Sequence, residues 1–204
     1  MTEPYHHGDL RRALLEAAHR ALDASGYESL SLRSLANEAN VSTGAPYRHF
    51  PSRDALLIAL SVDGMLRLEQ AYRRAIEDHR EPVGGLRAVC GAYLNLACQR
   101  PQLFRLMFAS EVNVHEAPQS DWARAVQKAY DLYERAVAAA MRSGDPLEVR
   151  TMAAYCWSAI HGLALLRMHG RLQRFAHRGE EEAALIERVL DRILAPFGKA
   201  VPPA

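Results

Sequence analysis

"NVSTGAPYRHF", Asn40–Phe50, holds a glycine and a proline two positions apart and ends in aromatic residues. A short apolar period precedes it: Leu32, Leu35, Ala36 and Ala39 form one side of a short helix that Ser31 is placed to cap. Asn40 tolerates left-handed backbone angles better than most non-glycine residues, so "NV" reads as a tight corner with Val41 tucked into the joint core. A second short helix then begins near Ser42 or Thr43 and runs to Phe50. Short helix, tight turn and short helix make a helix-turn-helix, whose second helix enters the DNA major groove by its N-terminal end.

That reading accounts for the composition of the stretch. Gly44 and Ala45 carry little side chain, so backbone can approach DNA closely. Pro46 is tolerated in or near a first helical turn, where few internal bonds are lost. The helix N-terminus adds positive potential and free N–H groups for phosphate. Thr43 can reach a base edge or a phosphate, and Tyr47 and His49 can bond to phosphate. Arg33, Arg48 and Arg53 supply local charge. Plainer readings exist: Tyr47 and Phe50 as packing residues, Arg48 as a solvated side chain. The charge balance is unhelpful, because residues 1–55 hold six arginines against seven acidic residues. Binding to DNA requires the acids to face away; Asp23 and Glu28 can do so, while Glu38 is harder to place.

Outward from this stretch the chain reads as helix. Leu10, Leu14, Ala18, Ala21 and Leu22 mark an amphipathic helix from about Gly8 to Ser25, stopped near Gly26. Ser52 caps a long helix reaching toward Asp78. "HREPVGG" breaks the chain at His79–Gly85. Further helices are expected from about Leu86 to Gln99, from Pro101 to near Ser110, from Trp122 to Met141, from Leu147 to His169 and from Glu180 to Leu194. Asn113–Asp121 is a loop by composition and the C-terminal "GKAVPPA" a frayed tail. No long β-like alternation and no internal repeat are present. The expectation is an all-α protein of eight to ten helices. An N-terminal three-helix helix-turn-helix domain spans 1–55, and a C-terminal helical ligand-binding and dimerisation domain spans 56–198.

Composition sets bounds. The 204 residues are 49% hydrophobic and 24% charged with a formal net charge of +1, ordinary globular values that do not by themselves announce nucleic acid. Cys90, Cys98 and Cys156 form no close pair, which suits a reducing compartment and lacks zinc spacing. No signal pattern appears, and the longest apolar run, "YCWSAIHGLALL" at Tyr155–Leu166, is too short to span a bilayer. A cytoplasmic protein with no membrane segment, no metal and no cofactor is expected. His6 and His7 pair by adjacency, and His115, His161 and His169 are scattered, which is weak support for a metal.

The stretch "LLEAAHRALDASGYESLSLRSLANEANVSTGAPYRHFPSRDALLIAL" resembles the DNA-binding domain of the TetR family of bacterial transcriptional regulators. The shared pattern is an opening helix followed by Gly26-Tyr27, then Ser31-Leu32-Arg33-Ser34-Leu35-Ala36, then Tyr47-Arg48-His49-Phe50 with Arg53 and Leu57. The resemblance implies that Thr43, Ala45 and Pro46 read bases, with Ser42 and Gly44 beside them at the start of the helix. It implies that Tyr47, His49 and Arg53 hold phosphate and that Arg33 touches the DNA backbone. Asn40 stands where the family usually has glycine, and Arg53 where it usually has lysine.

Beyond residue 56 no catalytic signature is present, so no enzyme is expected. Aromatic and sulfur-bearing residues are the candidates for an apolar effector pocket: Phe104, Met107, Phe108, Trp122, Tyr130, Tyr155, Trp157 and His161, with core packing as the competing role for each. Trp157, His161 and Gly162 resemble a Trp-x-x-x-His-Gly motif of one class of TetR-like C-terminal domains. Trp157 and His161 share a helix face, and Gly162 permits close approach of another helix. His161 would contact a ligand or make one hydrogen bond holding two helices together. The resemblance also implies a homodimer through the last two helices, with Ala159, Leu163, Leu166, Leu185, Val189 and Ile193 as contributors. The expected function is a repressor released from a palindromic double-stranded DNA operator by a small apolar or amphipathic effector. An activator, a ligand-independent regulator and an all-helical protein–protein adaptor are the alternatives.

Overall fold

The computed structural model describes residues 7–109, 120–141, 144–175 and 181–198. The expected Asn113–Asp121 loop falls almost entirely outside them, as do His6, His115 and the C-terminal tail beyond residue 198. Among the described residues there are eight α-helices, four 3-10 turns and no strand. The helices are α1 (His7–Ser25), α2 (Leu32–Glu38), α3 (Arg53–Glu77), α4 (Pro82–Gln99), α5 (Pro101–Met107), α6 (Asp121–Met141), α7 (Pro146–Met168) and α8 (Glu182–Leu194). No helix among them is long and apolar enough to cross a membrane.

Local chemistry sets the helix ends. Gly26 closes α1 with φ 76° and ψ 168°, backbone angles open essentially to glycine alone. Ser31 caps α2, its Oγ accepting from Ser34 N at 3.1 Å. Ser52 caps α3 by accepting from Ala55 N at 3.1 Å, and Ser120 caps α6 by accepting from Ala123 N at 3.1 Å. Asp145 accepts from Leu147 N at 2.9 Å to start α7, where Pro146 occupies the first turn. The break expected at His79–Gly85 is shorter than the sequence suggests. Pro82 opens α4 because its fixed φ suits a first turn that needs no N–H from it, and Gly84 and Gly85 fall inside the helix.

The chain divides into two compact units, Met1–Met65 with Arg100–Val126, and Leu66–Gln99 with Gln127–Ala204. In the first, α1 packs against α2 and α5, and α2 against the 3-10 turn at Pro46–Arg48. Its core includes Leu14, Leu22, Leu35, Phe50, Leu57 and Leu60, all at most 2% exposed. The hydrophobic term from each such leucine is about 1.5–3 kcal/mol. In the second unit α4 packs on α7, and α8 lies against both. Leu86, Val89, Leu94, Ile160, Ala164 and Leu190 are buried there. Arg87 holds α8 from α4 by donating to Glu187 at 2.6 Å and Asp191 at 2.7 Å.

Candidate nucleic-acid interface and an aromatic cluster

The corner after α2 is built from main-chain bonds. Asn40 has φ 53°, the only positive value among described non-glycine residues. Val41 N donates to Ala36 O at 3.0 Å, and Asn40 N to Asn37 O at 3.2 Å. These are the two bonds of a Schellman cap, with asparagine in the left-handed place that glycine commonly fills.

The segment that follows is not the regular helix expected over Ser42–Phe50. Residues 43–45 form a turn and only Pro46–Arg48 form a 3-10 turn. The cause is Pro46, which has no N–H to donate to Ser42 O. Ala45 N takes that carbonyl at 2.9 Å, and Arg48 N and His49 N follow with 3-10 bonds to Ala45 O and Pro46 O. A helical bond returns only when Phe50 N donates to Pro46 O at 2.9 Å.

Of the expected DNA-facing residues, Arg33, Ser42, Thr43, Gly44 and Tyr47 are exposed, Ala45 and His49 half-buried, and Pro46 buried. Nothing lies within 4 Å of a Cβ added at Gly44, so the backbone there is open to a partner. Pro46 faces the protein and Arg53 is engaged within it. Arg53 Nε donates to Leu30 O at 3.0 Å and Nη2 to Tyr27 O at 2.6 Å, tying the start of α3 to the segment between α1 and α2. Phe50 is core, with the Arg11 guanidinium 5.3 Å from its ring centre. Two acidic residues that crowd the charge balance have arginine partners: Glu38 with Arg20 at 2.9 Å and Asp23 with Arg100 at 2.9 Å. Arg100 also reaches Nδ1 of buried His19 at 3.2 Å, and His19 Nε2 lies 2.8 Å from Asp63. Nothing in the local sequence marks His19, because its two partners, Asp63 and Arg100, lie far along the chain.

The eight expected effector residues fall into separate groups. In the first unit Phe104 and Met107 are fully buried, Phe108 meets Phe104 in a tilted pair at 4.9 Å, and Trp122 Nε1 donates to buried Ser61 at 3.1 Å. In the second unit Trp157 stacks on His161 at 5.3 Å and meets Tyr130 at 5.8 Å. Tyr155 is not with them: 53% exposed, it lines an open cleft with Val189 and Ile193 of α8. Two helix positions turn a side chain by about 200°, which separates Tyr155 from Trp157. Among the described residues nothing lies within 4 Å of a Cβ added at Gly162, so no described helix approaches closely there.

Tyr93, on α4, is the member of the cluster that sequence reading missed. Its hydroxyl lies 2.6 Å from His161 Nδ1. Burial pushes the phenol well above its ordinary pKa while a hydrogen bond with Trp157 acts in the opposite direction, so the phenol keeps its proton. Burial lowers the His161 pKa, which favours the neutral imidazole. The second of the two roles read for His161, a hydrogen bond between helices, is thus present between α7 and α4.

This all-helical architecture, with an N-terminal helix-turn-helix, is matched by known families. Residues 14–60 match the family described as bacterial regulatory proteins, tetR family, and residues 86–193 match the tetracyclin repressor-like C-terminal domain. A protein of unknown function from Rhodococcus sp. RHA1 is 35% identical over 98% of this chain and 100% of its own, with a TM-score of 0.81. A bacterial regulatory protein in the tetR family from Rhodococcus RHA1 is 20% identical, covering 94% and 98% of the two chains at a TM-score of 0.65. AibR, solved with isovaleryl coenzyme A and operator DNA, is 20% identical, covering 91% and 96% at a TM-score of 0.58. The chain belongs to the TetR family of DNA-binding transcriptional regulators.

Proposed function

We propose that the protein is a repressor that binds a palindromic operator as a homodimer and is released by a small apolar or amphipathic effector. The observation that carries DNA reading is the exposed tip Ser42–Gly44 with Tyr47, presented by the Asn40 corner. In this reading Thr43 and Ala45 meet base edges, Ser42 and Gly44 bring backbone to the groove, and Tyr47, His49 and Arg33 hold phosphates. Pro46 shapes the tip from behind. Arg53 positions α3, and a phosphate contact would use what its carbonyl bonds leave over. DNA binding is assigned to 1–55, effector binding and dimerisation to 56–198.

Dimerisation through α7 and α8 is supported by residues those helices leave uncovered. Tyr155 and Leu165 are exposed, and Ala159, Gly162, Leu166, Leu185 and Val189 are only half-buried. From Met152 to Leu166 apolar residues lie on more than one side of α7, as in a helix covered on both sides. Leu163 and Ile193 are already core within the chain. A dimer presents two tips spaced about one turn of DNA, ~35 Å. Trp157, Tyr130 and His161 offer an effector an apolar wall with one polar point, and AibR, solved with isovaleryl coenzyme A and operator DNA, supplies a precedent for both in one fold. Effector and operator would oppose one another through a coupling of about 1–3 kcal/mol.

Footprinting on the DNA flanking the protein's own gene, at several salt concentrations and with unrelated competitor, tests this. A protected palindromic site whose affinity falls as salt rises is expected. Equal operator affinity with and without every bound effector would reject ligand-controlled release. Absence of any selected site from random DNA would reject the DNA-reading tip.

A further inference from the structure

A second cleft in the Leu66–Gln99 and Gln127–Ala204 unit shares no residue with the Trp157–His161 cluster. Its volume is about 390 Å³, within the range of small-molecule sites. The last turn of α3, the connection to α4, the first turn of α4 and the C-terminal half of α6 line it. Its floor is apolar: Leu86, Leu132 and Ala136 are buried, and Ile76 is half-buried.

The rim is cationic. Arg73, Arg80 and Arg135 all line the cleft, against one carboxylate, Glu77. Arg73 is already neutralised by Glu69 at 2.7 Å. Arg80 has no partner among the described residues. Arg135 donates only through Nε, to the Asp131 carbonyl of its own helix at 3.2 Å, which anchors the guanidinium while its two Nη groups have no protein partner among the described residues. The first turn of α4 forms one wall and adds the positive end of its dipole.

We infer that this cleft binds an amphipathic anion, a carboxylate or phosphate head on a short apolar tail. Two guanidinium forks answer an anionic head by paired, charge-assisted hydrogen bonds, and a leucine-floored trough answers the tail. A cation meets like charge on the rim, and a neutral tail leaves the forks unanswered. The inference concerns binding alone and does not depend on whether occupancy releases DNA.

The test is calorimetric titration of the full-length, delipidated protein without DNA, with octanoate, octyl phosphate and octanol as probes. At least one anion should bind once per chain, octanol about tenfold or more weaker, with the anion's affinity falling as salt rises. Tighter octyl phosphate identifies a phosphate head, and tighter octanoate a carboxylate head. The double variant Arg80→Ala/Arg135→Ala should weaken the anion about tenfold or more, while Arg174→Ala, an exposed arginine outside the cleft, should not. Ala139→Trp, which fills the trough from an exposed lining position, should abolish binding without touching a charge. Equal binding of octanol and the anions, unchanged binding by the double variant and by Ala139→Trp, or no anion binding at millimolar concentration would overturn the inference. Operator binding is scored separately. Variants that hold operator but lose octanoate locate the anion in the cleft. Wild-type protein that binds octanoate there but no DNA supports the cleft and removes the repressor reading.

Discussion

Arg53 Nη2 donates to the carbonyl oxygen of Tyr27 at 2.6 Å, joining residues 26 positions apart. With the second bond to Leu30 O, this clamps the first turn of the long helix α3 onto the α1–α2 connection. Arg53→Ala should cost about 1–3 kcal/mol in urea unfolding, because it leaves carbonyls that have lost charge-assisted donors. Arg53→Lys should recover only part, since an ammonium lacks the planar fork. If Arg53→Ala weakens operator binding with no loss of stability, the clamp is not its main role.

The neutral His161 ring sets a pH dependence. Its pKa in the folded state is lowered by burial, against about 6.5 in the unfolded chain. Between those values the unfolded chain binds a proton that the folded protein refuses. The contribution is therefore whole above about pH 6.5 and is lost as pH falls toward and through the folded value. Thermal melts from about pH 7.5 to about pH 5.5 should show a steeper loss in wild type than in His161→Gln. Tyr93→Phe should cost about 0.5–1.5 kcal/mol at neutral pH by removing the hydroxyl that bonds His161 Nδ1.

Asn40 holds a left-handed angle at the corner. Asn40→Gly should be neutral or stabilising, and Asn40→Val should cost about 1–2 kcal/mol because a β-branched side chain clashes in that region. Denaturant midpoints measure both. An unchanged midpoint for Asn40→Val would mean that the corner relaxes.

Gly64, on α3, faces α5. A Cβ added there would lie 2.6 Å from Met107 Sδ and 2.9 Å from its Cγ. Gly64→Ala should therefore cost about 1–3 kcal/mol through overpacking despite the gain in helix propensity. Shortening the neighbour in Gly64→Ala/Met107→Ala should show a favourable coupling in a double-mutant cycle. Additive losses would indicate that the backbone shifts apart.

Thr43→Ala and Tyr47→Phe change exposed side chains, so stability should stay within about 0.5 kcal/mol of wild type. Operator affinity should nonetheless fall by about 1–3 kcal/mol for Thr43→Ala if it meets a base edge. Tyr47→Phe should weaken all sequences alike if its hydroxyl holds a phosphate. Retained affinity in both, measured by fluorescence anisotropy on the footprinted site, would move the reading surface elsewhere.

The helices were legible wherever a short-range cause fixes them. Ser31, Ser52 and Pro101 begin helices, and Gly26 ends one, because caps and backbone angles act within a few residues. The Pro46 break was legible in principle, since a missing N–H is a property of one residue, but the helix-turn-helix pattern argued for a full helix. Other features depend on residues far apart. The Tyr93–His161 pair spans 68 positions and Arg20–Glu38 spans 18, so neither the role of Tyr93 nor the partner of Glu38 could be read locally. Tyr155 was misgrouped for a different reason: an apolar run has no phase of its own, and only packing decides which side of α7 each aromatic takes.

The hydrogen bonds that hold the Asn40 corner run between main-chain donors and acceptors, so they do not use the side chains of Ser42, Thr43 or Tyr47. The side chains of Ser42, Thr43 and Tyr47 stand outside that frame, exposed to solvent. Mechanical support and displayed chemistry are thereby carried by different atoms. Exchanging those three residues as a cassette should change which DNA is preferred while leaving folding intact, which makes the tip a place where a lineage, or an engineer, can retarget the protein in single steps.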